Sequence, residues 1–264
     1  MKKNRFLILN ILIYLTGACT LYAQMPPRTY EALYAPEGVR IDGEVDSIWQ
    51  IASWSEDFMD ILGPEQKTPS MQTRMKMLWN DEALFILAWL EEEHIWAYLD
   101  ERDAIIFRDN DFEVFVKPDP KTDHYFEYEI NAKGAIMDLL MTKPYSENGS
   151  ALLTWDSRSA RHAVHLDGTL NDPGDVDNGW WVEIKIPYRD IEHHGADIRP
   201  RDGHSWRINF SRVQWQTDVI DGKYVKKKDE KGQNLREDNW VWTPQHAVNM
   251  HIPRHYGNVL FIRK

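Results

Sequence analysis

Residues 109–134, DNDFEVFVKPDPKTDHYFEYEINAKG, constrain what this chain can become more than any other stretch. Phe112, Val114 and Val116 alternate with Glu113, Phe115 and Lys117, and Phe126, Tyr128 and Ile130 alternate with Glu127, Glu129 and Asn131. A period of two sends successive side chains to opposite faces of a strand. The intervening PDPKTDH is rich in Pro and Asp, which interrupt strand pairing and favour a turn, so the two runs predict an antiparallel hairpin. One face goes into a core. The other presents Glu113, Glu127, Glu129 and Asn131, either as a solvated sheet surface, which antiparallel sheets commonly have, or as a polar binding surface. The pattern alone leaves both open.

The rest of the chain reads in the same way. Residues 28–36 suggest a lead-in strand, and Asp42-Gly43 a tight turn before a helical turn ending in Trp49, with Asp46 placed to cap it. Residues 73–79 and 83–90 form a second hairpin around Asn80-Asp81-Glu82, its second strand apolar enough to be central. Further strands are expected over 135–141, 163–169, 180–187, 205–213 and 256–262, and residues 239–243 bring Trp240 and Trp242 together. In the strand at 180–187, Val182, Ile184 and Ile186 point inward and Trp181, Glu183 and Lys185 outward. Residues 142–160 and the charged stretch 221–232 read as surface loops, and 188–193 as at most one helical turn. No repeat, long amphipathic helix or linker interrupts this series. The expected fold is all-β, a two-sheet antiparallel β-sandwich with little helix, forming a single domain over residues 24–264.

Residues 1–23 have a basic start, an apolar run from Phe6 and small residues before Gln24, the plan of a secretory signal rather than of a membrane span. The expected location is therefore outside the cytoplasm: periplasmic, at the cell surface or secreted. Cys19, preceded by Thr16-Gly17-Ala18, keeps a lipid anchor open as an alternative. It is the only cysteine, so the exported chain has no disulfide and depends on its core. Losing Lys2, Lys3 and Arg5 takes the formal charge from −11 to −14, a balance that argues against nucleic acid or an anionic membrane as partner. Twelve tryptophans supply core mass and candidate rings for stacking on flat ligands.

Five segments, IDGEVDSIW, KMLWNDEALFILAWL, DNDFEVFVKPD with YFEYEINAKG, GWWVEIKIPY and YGNVLFI, stand in the order found in family 9 carbohydrate-binding modules and their DOMON-like relatives, and the chain resembles that family from about Ile41 to Ile262. The resemblance implies a lectin-like β-sandwich that binds sugar chain ends between two aromatic rings, works beside secreted glycanases and often carries structural calcium. By position, Glu113 matches the family's sugar-binding carboxylate and Asn131 its amide. Glu129 stands where the family has an arginine. The two sandwiching tryptophans fall at about Phe107 and Met250, which leaves Trp240 and Trp242, or Trp155, as another platform.

A sugar offers an apolar C–H face and a rim of hydroxyls, so its site needs an aromatic plane beside amides or charged groups. Glu113, Asn131, Arg207 and Asn209 are the candidate polar contacts, on outward strand faces. The expected activity is binding of an oligo- or polysaccharide without catalysis. A glycoside hydrolase is the alternative, because carboxylates such as Glu113, Glu127 and Glu129 could pair as acid and nucleophile. A haem site is the third, with Met250, His251, His162 and His165 as possible ligands. Asp119 and Asp123 in one loop, and Asp172, Asp175 and Asp177 in another, offer the hard oxygens that calcium prefers, though Asp-rich turns look the same. No zinc, nucleotide-binding or serine-hydrolase motif occurs.

Overall fold

The computed structural model describes residues 24–192 and 197–264. The secretory segment and Cys19 lie outside the described residues. Chain order gives β1 (Thr29–Tyr34), β2 (Met59–Asp60), β3 (Thr73–Trp79), β4 (Ala83–Glu91), β5 (Asp111–Lys117), β6 (Tyr125–Asn131), β7 (Ile136–Met141) and β8 (Ala151–Leu152). There follow β9 (Arg161–Asp167), β10 (Gly179–Pro187), the single turn α1 (Tyr188–Ile191), β11 (Ser205–Gln214), β12 (Thr217–Ile220), β13 (Lys223–Lys226), β14 (Asp238–Val241) and β15 (Gly257–Ile262). The fold is all-β, as the alternating pattern implies.

The two layers are halves of one curled 13-stranded sheet, in the order β8-β7-β6-β5-β11-β15-β1-β3-β4-β10-β9, with β14 and β2 attached at β11. Pairing is antiparallel except at β1, which runs parallel to both β15 and β3 and joins the two halves. The apolar strand β4 is central, held by β3 on one side and β10 on the other. Gly257 lets β15 pass close beneath a core indole, since a Cβ there would stand 2.1 Å from the Trp242 ring.

Register then fixes the faces. Glu113 pairs with Glu129 and Phe115 with Glu127 across β5–β6, while Ser211 faces Glu113 from β11. Directly opposed residues share a face. Phe112, Val114, Val116, Phe126, Tyr128 and Ile130 enter the main core between the layers. The opposite face is not solvated. A second apolar cluster covers it, built from Phe115, Tyr125, Met137, Leu139 and Met141 with Val241, Met250 and Tyr256 from distant segments, and every residue of β6 is buried.

Three local expectations are corrected. Asp46 makes no side-chain cap; its carboxylate lies 3.4 Å from Arg40 and its carbonyl accepts the Trp49 N–H instead. Glu183 does not face water. It is buried beneath a third cluster and accepts the Trp49 indole N–H at 2.9 Å and the Gly43 N–H at 3.1 Å. The stretch 221–232 is not all loop, because β13 pairs with β12 as a separate ribbon anchored by buried Tyr224, whose hydroxyl donates to the Asp172 carbonyl.

One buried cation ties the layers. Arg212 lies on β11 facing the main core, 2.7 Å from Glu92, and also donates to Thr73 Oγ1, the Glu91 carbonyl and Gln214. Removing one partner of such a pair strands a charge in low dielectric. Arg212→Met is expected to lower unfolding free energy by about 3 kcal/mol in urea titration, and adding Glu92→Met to recover most of that loss.

Candidate functional site

A cleft of about 290 Å³ opens over the second face of β5 and β6. Glu113, Glu127 and Glu129 form its floor, Met137 and Leu139 of β7 one wall, and Met250 and His251 another. Two aromatic rings stand at the rim: Phe107 from the short 3-10 turn Ile106–Arg108, 44 % exposed, and Tyr145 from the turn Tyr145–Glu147, 50 % exposed. The floor positions the rim. Glu129 Oε2 accepts the Phe107 N–H at 3.0 Å, and the Trp215 indole donates to the Phe107 carbonyl at 2.9 Å. His251 lies with Nδ1 2.9 Å from the Tyr125 hydroxyl and meets the Tyr145 ring edge-on at 4.6 Å.

The electrostatics of the floor follow from burial without a counter-charge. Carboxylate oxygens of Asp111, Glu113 and Glu129 lie within 4.8 Å of one another, all buried. Asp111 accepts the Val213 N–H through one oxygen, while its Oδ2 and Glu127 Oε2 are buried with no hydrogen-bond partner. Desolvation first, and mutual repulsion second, raise all four carboxyls; Glu127 is pushed up to about 8 and the other three well above the carboxylate range. Burial pushes His251 down to about 4, so at neutral pH it brings no charge to Glu127, 4.0 Å away. The floor is a set of carboxylic acids that keep protons at neutral pH, able to donate as well as accept.

Residues 41–263 match the family model described as carbohydrate family 9 binding domain-like. The chain belongs to that family. Its fold is also similar to two solved structures of a family 9 carbohydrate-binding module from Caldicellulosiruptor kristjanssonii. The one in complex with cellotriose has a TM-score of 0.57 at 15 % identity, covering 90 % of this chain and 95 % of that one. The one in complex with glucose gives 0.57 at 15 %, covering 90 % and 97 %. A candidate carbohydrate-binding protein from Bacteroides uniformis gives a TM-score of 0.62 at 14 % identity, covering 89 % and 99 %. At these identities the likeness is one of fold. No curated protein sequence matches the chain.

Within this family 9 domain, Glu113, Glu129, Phe107 and Met250 converge on the cleft. Asn131 does not join them as a contact. Its amide donates to Leu99 O and Asp109 Oδ2 and its oxygen accepts from Lys133 and Ala135 N–H, which shapes the turn after β6. Arg207 bonds the Tyr256 carbonyl and Asn209 is buried in a reciprocal pair with Thr243, both away from the cleft lining. Trp240 and Trp242 are not a surface platform. They are 5 % and 0 % exposed in the main core, because β14 alternates and turns Val241 to the cleft-side cluster instead. Trp155 packs on Phe126 at 4.9 Å. Tyr145 stands within 142–160, the stretch expected as surface loop, where an aromatic beside Pro144 is its one signal in the sequence.

The aspartates of the two candidate calcium loops, Asp119 with Asp123 and Asp172 with Asp175 and Asp177, stand as follows. Asp119 and Asp172 accept N–H groups of their own turns, from Lys121 and Gly174, and Asp177 accepts from Thr169 and Ile95. Asp123 and Asp175 are exposed. Another carboxylate group, Asp103, Asp138 and Asp156, surrounds the Arg102 guanidinium. Among the histidines weighed for haem, His162 bonds the Gly134 carbonyl and His251 the Tyr125 hydroxyl.

Because the floor carboxyls hold protons more tightly folded than unfolded, the folded state carries more protons and stability falls as pH rises through that window. His251, neutral when folded and still partly protonated when unfolded near pH 6.5, opposes this slope only in the lower part of the window, and one imidazole is outweighed by four carboxyls. Melting temperature is expected to fall from pH 6.5 to about 8, and Glu127→Gln to flatten that fall; a profile level in the unaltered protein would contradict the floor's electrostatics.

Proposed function

We propose that the protein binds carbohydrate in the cleft over β5 and β6 without transforming it, as an exported module acting beside enzymes that break down polysaccharides. The observation that carries this is the convergence of exposed Phe107 and Tyr145 on a floor of Glu113, Glu127 and Glu129. An aromatic face takes the C–H side of a sugar ring, and carboxyls that both donate and accept suit hydroxyls that do the same. Family membership and the cellotriose and glucose held by two similar folds support the same reading.

Titration calorimetry against cello-, xylo-, manno- and chito-oligosaccharides tests the proposal. Binding of at least one is expected, with Phe107→Ala weakening it about tenfold while melting temperature stays within a few degrees. A folded protein that takes none of them overturns it.

A further inference from the structure

The cleft is unusual for what it lacks. Every ionisable group that lines it is an acid or is neutral: Glu113 from β5, Glu127 and Glu129 from β6, Asp103 at the rim, and the uncharged His251 and Tyr145, with Asp111 of β5 buried beside Glu113 and Glu129. Tyr125 and Tyr256 stand behind the wall and Glu237 and Glu147 further out, while Lys117 and Arg254 line a neighbouring hollow on the other side of His251. No Lys or Arg lines it. Several cations elsewhere are engaged: Arg212 by Glu92 on the opposite sheet face, Arg102 by Asp138, Lys133 by Asp100, and Lys226 stacked 3.3 Å from the centre of Trp215, while Arg108 stands exposed on the turn that carries Phe107.

The rest of the protein gives its buried acids partners. Glu92 has Arg212, Glu183 has the Trp49 indole and Gly43 N–H, and Asp109 has the Tyr98 and Leu99 N–H groups. Among the described residues, the buried carboxylate oxygens with no partner are Asp111 Oδ2 and Glu127 Oε2, both in this group. Such an arrangement is unfavourable in isolation and is relieved by a positive charge arriving from outside. Phe107 and Tyr145 add the other half of an ammonium site, since aromatic faces attract cations through their ring quadrupole.

We propose that the sugar recognised here carries a free, protonated amine, seated with its ammonium among Glu113, Glu127 and Glu129 and its ring against Phe107 or Tyr145. This rests on the carbohydrate-binding reading and narrows it. An ammonium's three donors meet the open carboxylate oxygens, and its charge replaces the protons that the acids otherwise share. An N-acetylated sugar sets an uncharged amide against the same oxygens, and a uronic acid adds a further negative charge, so both bind less well.

The experiment is calorimetry at about pH 6, where a sugar amine is protonated, with β-1,4-linked glucosamine oligomers, their fully N-acetylated counterparts and glucose oligomers of equal length. The glucosamine oligomer is expected to bind at least about tenfold tighter than either neutral one, with an enthalpy that depends on the buffer because protons leave the floor. Glu127→Gln and Glu129→Gln are each expected to erase that preference, read as the ratio of amine to neutral affinity in the same folded variant, whatever they do to the neutral oligomers. Neutral oligomers binding as well as the amine form overturn this inference and leave the carbohydrate reading standing, whereas no binding by any oligomer overturns both. Amine binding that survives both substitutions and vanishes at physiological salt is attraction to an acidic surface, and it also overturns the inference.

Discussion

The structure depends on one constraint: the strand pair β5–β6 is covered on both faces. One face supplies Phe112, Val114, Tyr128 and Ile130 to the main core, and the other holds Glu113, Glu127 and Glu129 beneath a second apolar cluster. Alternation makes the two faces inseparable. A slip of one residue in register would drive three carboxyls into the main core and carry its rings out to the cleft. The register that packs the sandwich is therefore the same one that gathers the acids, and the site follows from the core.

The protein contains two solutions for buried charge. Across the sandwich, Arg212 and Glu92 neutralise each other, with Gln214 and Asn110 completing the bonds around the carboxylate. On the cleft side the acids meet no cation and retain protons in its place. The first arrangement couples strands; the second reserves binding capacity at some cost to folding. Strongly raised carboxyls in a concave site with accessible rings are what a ligand-binding region looks like when its counter-charge comes from the ligand.

Much of the fold was legible in the sequence because period two survives in nearly every long strand, and turn residues separate them. The hairpins at 73–91 and 111–131, and the cluster of Glu113 with Glu129, followed from that alternation. The cover did not. Periodicity tells which side chains share a face and says nothing of what will lie over it, and here the cover comes from Val241, Met250 and Tyr256, more than a hundred residues away in sequence. The same gap hid the burial of Glu183 beneath Trp49 and of Trp240 and Trp242 in the core. Asn131 and Asn209 were readable as polar residues on a strand, yet their partners are backbone groups of loops that no spacing rule specifies.

None of the twelve tryptophans is exposed; seven are buried and five half-buried, while the rings open to the cleft are a phenylalanine and a tyrosine. The chain's ultraviolet glow therefore originates in its scaffold. A guest resting against Phe107 would pass almost unseen by the indoles, with Trp215, bonded behind that ring, the one positioned to notice its arrival. Emission of this molecule reports whether it is intact, not whether it is occupied.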